Sequence, residues 1–153
     1  HPNASGSFVG ISNFHTRKHL LRSVYEGVTF CHRYHLEKLL KTRKEPVKAI
    51  RLAGGAARSS MWTQMFADVM KLPVESVQVN ETGAFGCALI GAAAGGAYKD
   101  ITGAAKDMCR ISAPVLPDME KAAAYDKKYE LYCRTIEALD GLWDSIQKYK
   151  DEH

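Results

Sequence analysis

The sequence predicts an α/β fold, and three observations point to it. Short apolar runs at residues 49–53 and 74–79 are spaced as strands. Between them Trp62, Met65, Phe66, Val69 and Met70 recur at helical spacing. A long periodic segment precedes the first run, so that helices and strands alternate, as a layered α/β structure with right-handed crossovers requires.

In chain order, residues 7–11 carry Phe8, Val9 and Ile11 among small residues and read as a short or edge strand. Thr16 is a helix N-cap, and a helix is expected from there to about residue 41. Leu20, Val24, Val28, Cys31, His35 and Leu39 form its apolar stripe, which should pack on a sheet. Gly27, beside that stripe, costs the helix about 1 kcal/mol against alanine, for which close approach of a neighbouring element is the usual reason. Residues 42–47, with Pro46, lead out.

The stretch Leu52-Ala53-Gly54-Gly55-Ala56-Ala57-Arg58-Ser59-Ser60 reads as strand, glycine turn and helix start. Glycine and alanine leave backbone N–H groups uncovered, and a helix start adds unpaired donors and a positive dipole end, so the turn can seat a phosphate. The stretch lacks Gly-x-Gly-x-x-Gly and has no Gly-Lys-Ser/Thr, so neither the dinucleotide fingerprint nor the P-loop applies. The alternative is a plain strand-to-helix turn with Ser59 or Ser60 as N-cap.

Leu72-Pro73 breaks the chain before the second strand. Residues 81–96 are so rich in glycine and alanine that a helix there implies tight packing against a sheet or a neighbour. A short helix is expected at 101–110 and a surface connector at 112–117, which holds two prolines. From Asp118 to about residue 148, Tyr125, Tyr129, Tyr132, Ile136, Leu139, Trp143 and Ile146 alternate at helical spacing. Three tyrosines make a poor dimer seam, so this long helix should lie back along its own domain rather than form a coiled coil.

Composition narrows the function classes. The 153 residues suffice for one domain with a real core, and the charge of +4, from 21 basic and 17 acidic residues, is scattered. No basic stripe suggests nucleic acid, and the longest apolar run, residues 84–94, is too short to span a bilayer. Cys31, Cys87, Cys109 and Cys133 lie far apart with no Cys-x-x-Cys pair, which suggests reduced thiols in a cytoplasmic protein. His15, His19, His32, His35 and Cys31 could be examined as a metal set, but no carboxylate or further cysteine completes it, and a core histidine is the expectation at His35.

Gly6-Ser7-Phe8-Val9-Gly10-Ile11, followed after seven residues by His19-Leu20 and then by Ser23-Val24-Tyr25-Glu26, resembles the C-terminal signature of the FGGY carbohydrate kinases. The turn from Gly54 to Ser59, Trp62 and Asp68, and the segment Glu81-Thr82-Gly83-Ala84-Phe85-Gly86-Cys87-Ala88 resemble that family's adenine-nucleotide half-site in the same order. Within the family the sequence looks most like the kinases of ketopentoses.

The resemblance implies a partial ribonuclease-H-like (actin-like ATPase) domain with a long C-terminal helix. Residues 1–153 would be most of the C-terminal nucleotide-binding domain of a two-domain sugar kinase. The N-terminal domain, with the catalytic base, the sugar pocket and the Mg ligands, would precede residue 1. By position, Gly55 would approach the phosphates of ATP, Gly54, Ala56 and Ala57 would keep the turn low, and Ser59 would sit near the purine. Arg58 would be a solvated arginine or an extra charge for phosphate. ATP or ADP and a sugar held by the missing domain are the implied partners, with homo-oligomerisation open; a non-catalytic ATP-binding or interaction module of the same fold is the alternative.

Overall fold

A computed structural model describes residues 1–153. The parallel pair at its centre follows from the expected strand, helix, strand order. Strand β1 (Ile50–Leu52) crosses over through α2 (Ser60–Met70) to β2 (Val74–Ser76), with Ile50 opposite Val74 and Leu52 opposite Ser76. Arg51 and Glu75 face each other and pair at 3.0 Å. The segment expected to be a plain connector instead lines the free side of β2, where Val74 bridges Val115 and Val77 bridges Ile111, both antiparallel. Phe66, Ala67 and Val74 make a small core beneath this sheet.

Residues 7–11 are not a strand. Phe8, Val9 and Ile11 stay exposed and no other strand pairs with them, so their backbone N–H and C=O groups are left to water rather than to a sheet ladder.

Helix α1 (Arg17–Leu40) begins at Thr16 as expected, and the Thr16 N–H donates to His19 Nδ1 at 3.1 Å. Its packing face differs from the expected stripe. Val24, Val28, Cys31, His35 and Leu39 remain exposed, and the buried side is Glu26, Thr29 and Phe30, flanked by Tyr25, Arg33 and Tyr34. The helix has two candidate faces of similar period, and the aromatic seam of α2 and α5 (Met119–Leu139) selects the second. Gly27 meets no close neighbour, contrary to expectation, because it lies off that seam.

Phe30, Met65, Val69, Tyr125 and Tyr129 form the main core. Polar groups frame it. Trp62 Nε1 donates to Thr29 Oγ1 at 3.0 Å, and the Trp62 ring meets Tyr25 edge to face. Buried Glu26 receives Arg22 at 2.9 Å and also Lys128, so its charge is matched twice; removing a partner from such a buried group is costly. Arg33 pairs with Asp126 at 2.7 Å and lies over the Tyr129 ring. Asp68, also buried, accepts from the Asp118 N–H at 2.8 Å and so ties the start of α5 to α2. The tail helix thus lies back on its own domain. It is not continuous: a 3-10 turn over Asp140–Leu142, with Gly141 at its middle, separates α5 from a last helix, Trp143–Glu152.

Helix α3 (Thr82–Ala94) packs on α4 (Ile101–Met108), and only its Leu89 is buried. The expected tight packing around its glycines is not found: a Cβ at Gly83, Gly86 or Gly91 would meet no atom within 4 Å.

The α1–α5 seam carries a pH dependence. Burial, with Cys31 adding to it, pushes the Tyr132 hydroxyl from 10.0 up to about 12. Burial, then hydrogen bonding with Cys133 and Glu37, also raises Tyr129 above the ordinary tyrosine value. The folded state therefore holds these protons more tightly than the unfolded chain. The stability so gained is complete below pH 10.0 and is lost as pH rises towards about 12. The melting temperature should fall across that window in step with the appearance of tyrosinate absorbance. Titration of all seven tyrosines as free phenols with no loss of structure would contradict it.

Candidate functional site

The turn at the carboxyl end of β1 is built around one backbone requirement. Gly54 has φ 78° and ψ −154°, a region open in practice only to glycine. This sharp exit turns the chain into a 3-10 segment, Gly55–Arg58, in which the Ala57 N–H donates to Gly54 O at 3.2 Å and the Ser59 N–H to Ala56 O at 3.2 Å. The expected order of strand, glycine turn and helix is present, with this 3-10 segment inserted between the turn and α2. Gly55 is exposed, and a Cβ built on it would meet nothing within 4 Å. The conformational demand thus falls on Gly54, while Gly55 provides open space beside the backbone. Ala56 and Ala57 add only methyl groups to the floor.

Ser59 is the N-cap of α2, and its Oγ accepts from the Trp62 N–H at 3.3 Å. Ser60 is the first helical residue and caps nothing. The remaining N–H groups of the first turn have no partner inside the helix, and the dipole adds a partial positive charge there.

A further link was not foreseen from the sequence. Arg58 is not simply solvated: its Nη2 donates to the carbonyl of Asn80 and pairs with Glu81 Oε1 at 2.7 Å. Glu81 is the N-cap residue of α3, so the guanidinium joins the glycine turn to the start of the second candidate segment. No spacing in the sequence announces this contact, since the partners are 23 residues apart on two loops. Trp62 and Asp68 serve the packing of α2 on α1 and α5, as described above.

Of the histidines and Cys31 considered as a metal set, Cys31 Sγ and His35 Nδ1 lie 3.7 Å apart on the exposed side of α1. His35 is not a core residue, and no group of three or more His, Cys, Asp or Glu is placed to hold a metal ion. No helix is long and apolar enough to cross a membrane.

Residues 1–95, which contain both the segment from Gly6 to Glu26 and the glycine turn, match the C-terminal domain of the FGGY family of carbohydrate kinases. The chain belongs to the FGGY family. It is 40% identical over 145 residues to the L-xylulose/3-keto-L-gulonate kinase of Escherichia coli (strain K12), covering 95% of this chain and 29% of that protein. Among solved structures it is similar to the ligand-bound xylulose kinase of Lactobacillus acidophilus, at 27% identity and TM-score 0.78, covering 94% of this chain and 29% of that one. The gluconate kinase of the same organism gives 27% identity and TM-score 0.77 over the same shares. The chain thus spans less than a third of the length of the FGGY relatives it matches. The fold is that of the actin-like ATPases, represented here by a small parallel sheet flanked by helices. Helices α5 and α6 (Trp143–Glu152) lie beyond the segment that matches the FGGY domain.

Proposed function

We propose that residues 1–153 are most of the C-terminal, nucleotide-holding domain of a two-domain sugar kinase that transfers the γ-phosphoryl group of ATP to a hydroxyl of a ketopentose or similar sugar. The observation that carries this reading is the turn: in a chain of this family, a glycine-only conformation at Gly54 places bare Gly55 beside open space at the end of β1. Gly54, Gly55, Ala56 and Ala57 are the phosphate cradle, and Ser59 lies towards the purine with its hydroxyl engaged as a helix cap.

Phosphoryl transfer is catalysed mainly by positioning and charge neutralisation, so the cradle and the base can sit in different domains that closure brings together. The base, the sugar pocket and the Mg ligands belong to the preceding domain. The same domain covers the exposed stripe of Val24, Val28 and Leu39 and the apolar residues Phe8, Val9, Ile11 and Phe14. The four free cysteines fit a cytoplasmic enzyme.

The test compares the 153-residue chain with the longer kinase that carries it, assaying ATP turnover against a panel of ketopentoses and aldonic acids. The expected result is sugar-dependent turnover by the longer protein, highest with a ketopentose, and none by the 153-residue chain, which self-associates through its uncovered apolar faces. Sugar-dependent turnover by the short chain, or ATP binding without phosphorylation of any sugar by the longer one, would overturn the reading.

A further inference from the structure

We propose that Arg58 is a positioning residue for the nucleotide cradle, clamping the start of α3 to the glycine turn through Glu81 and the Asn80 carbonyl. This rests on the nucleotide reading of the turn. Arg58 ends the 3-10 segment that begins at Gly55, so its backbone is part of the cradle floor. Its guanidinium reaches across to the residue that caps α3 and to the carbonyl just before it. Both acceptors belong to the loop between β2 and α3, and α3 makes no extensive contact with α1 or α2 that would otherwise set its distance from the turn.

The pair is poorly placed to serve stability. The Arg58 and Glu81 side chains are 56% and 77% exposed, and ion pairs so open to water add little to folding free energy. Glu81 makes no side-chain cap bond to its own helix, so its carboxylate is committed to Arg58 rather than to α3. A contact that contributes little to folding but joins two segments flanking a proposed ligand space acts on the spacing of those segments. Both contacts engage Nη2, so Nη1 and Nε keep donors free, and it is the comparison of Arg58→Ala with Glu81→Ala that separates a clamp from direct phosphate binding.

The experiment is a double-mutant cycle in the full-length kinase, with steady-state kinetics in ATP and in sugar and a thermal melt of each variant. Arg58→Ala and Glu81→Ala should each raise KM for ATP about fivefold, with kcat falling less and KM for sugar steady, and the double variant should be no worse than either single one. Arg58→Lys should recover part of the loss, and the melts should stay close to that of the parent. An unchanged KM for ATP in Arg58→Ala, where Gly55→Val does raise it, overturns the clamp while leaving the nucleotide site in place. A rise in Arg58→Ala with none in Glu81→Ala also overturns it, since Arg58 would then touch phosphate itself. A large drop in melting temperature for both single variants, with KM for ATP unchanged, makes the pair structural and the proposal wrong. Should Arg58→Ala not fold, Glu81→Ala carries the same expectation alone. If Gly55→Val leaves KM for ATP unchanged, the clamp and the site fall together.

Discussion

Gly55→Val in the full-length kinase should raise KM for ATP and lower kcat/KM by about tenfold or more, each factor of ten corresponding to about 1.4 kcal/mol, while KM for sugar hardly changes. The structure makes this a clean substitution. A Cβ at Gly55 meets no protein atom within 4 Å, and the positive φ lies at the neighbouring Gly54, so the side chain enters the space proposed for the nucleotide rather than the fold. Three further variants gauge what the turn and the helix cap contribute to stability. Gly54→Ala forces a side chain into a glycine-only conformation and should cost stability of about 1–3 kcal/mol. Ser59→Ala removes the N-cap of α2 and should cost about 1 kcal/mol, with Ser60→Ala costing little because Ser60 caps nothing. An unchanged KM for ATP in a folded Gly55→Val enzyme would mean that the turn is structural only.

The largest effect on stability is expected at Phe30. Its side chain is 2% exposed and touches the rings of Tyr125, Tyr129 and Tyr132, while sharing a core with Met65 and Val69. Phe30→Ala would open a cavity where α1, α2 and α5 meet, at a cost of about 3–5 kcal/mol. That is a large share of the roughly 5–15 kcal/mol that holds a domain folded, so the 153-residue chain should melt far lower or fail to fold. Val28→Ser is the matched control on the same helix. Val28 belongs to the exposed stripe, and its replacement in the 153-residue chain should change stability by only about 0.5 kcal/mol. Equal losses at the two positions, measured by denaturant unfolding, would mean that the packing face of α1 has been misassigned.

The sequence by itself determined what depends on neighbours along the chain. The α1 start at Thr16, the β1–α2–β2 order, the break at Leu72-Pro73 and the glycine turn all follow from local propensity and spacing. The ordered motifs from Gly6 to Glu26 and from Gly54 to Ser59 were enough to indicate the family, because they are themselves local strings. Tertiary structure decided what depends on residues far apart. Helix α1 offers two faces of similar period, and only the seam with Trp62, Tyr125 and Tyr129 shows that Phe30 rather than Val28 is buried. Residues 7–11 have strand composition, yet a strand exists only where another pairs with it. Which of two adjacent serines caps α2, and which of two adjacent glycines bears the unusual dihedrals, was settled by the 3-10 segment that offsets the helix start from the turn. The Arg58–Glu81 contact has no local signal at all, since a side chain finds a partner on another loop only after the fold has brought the two loops together.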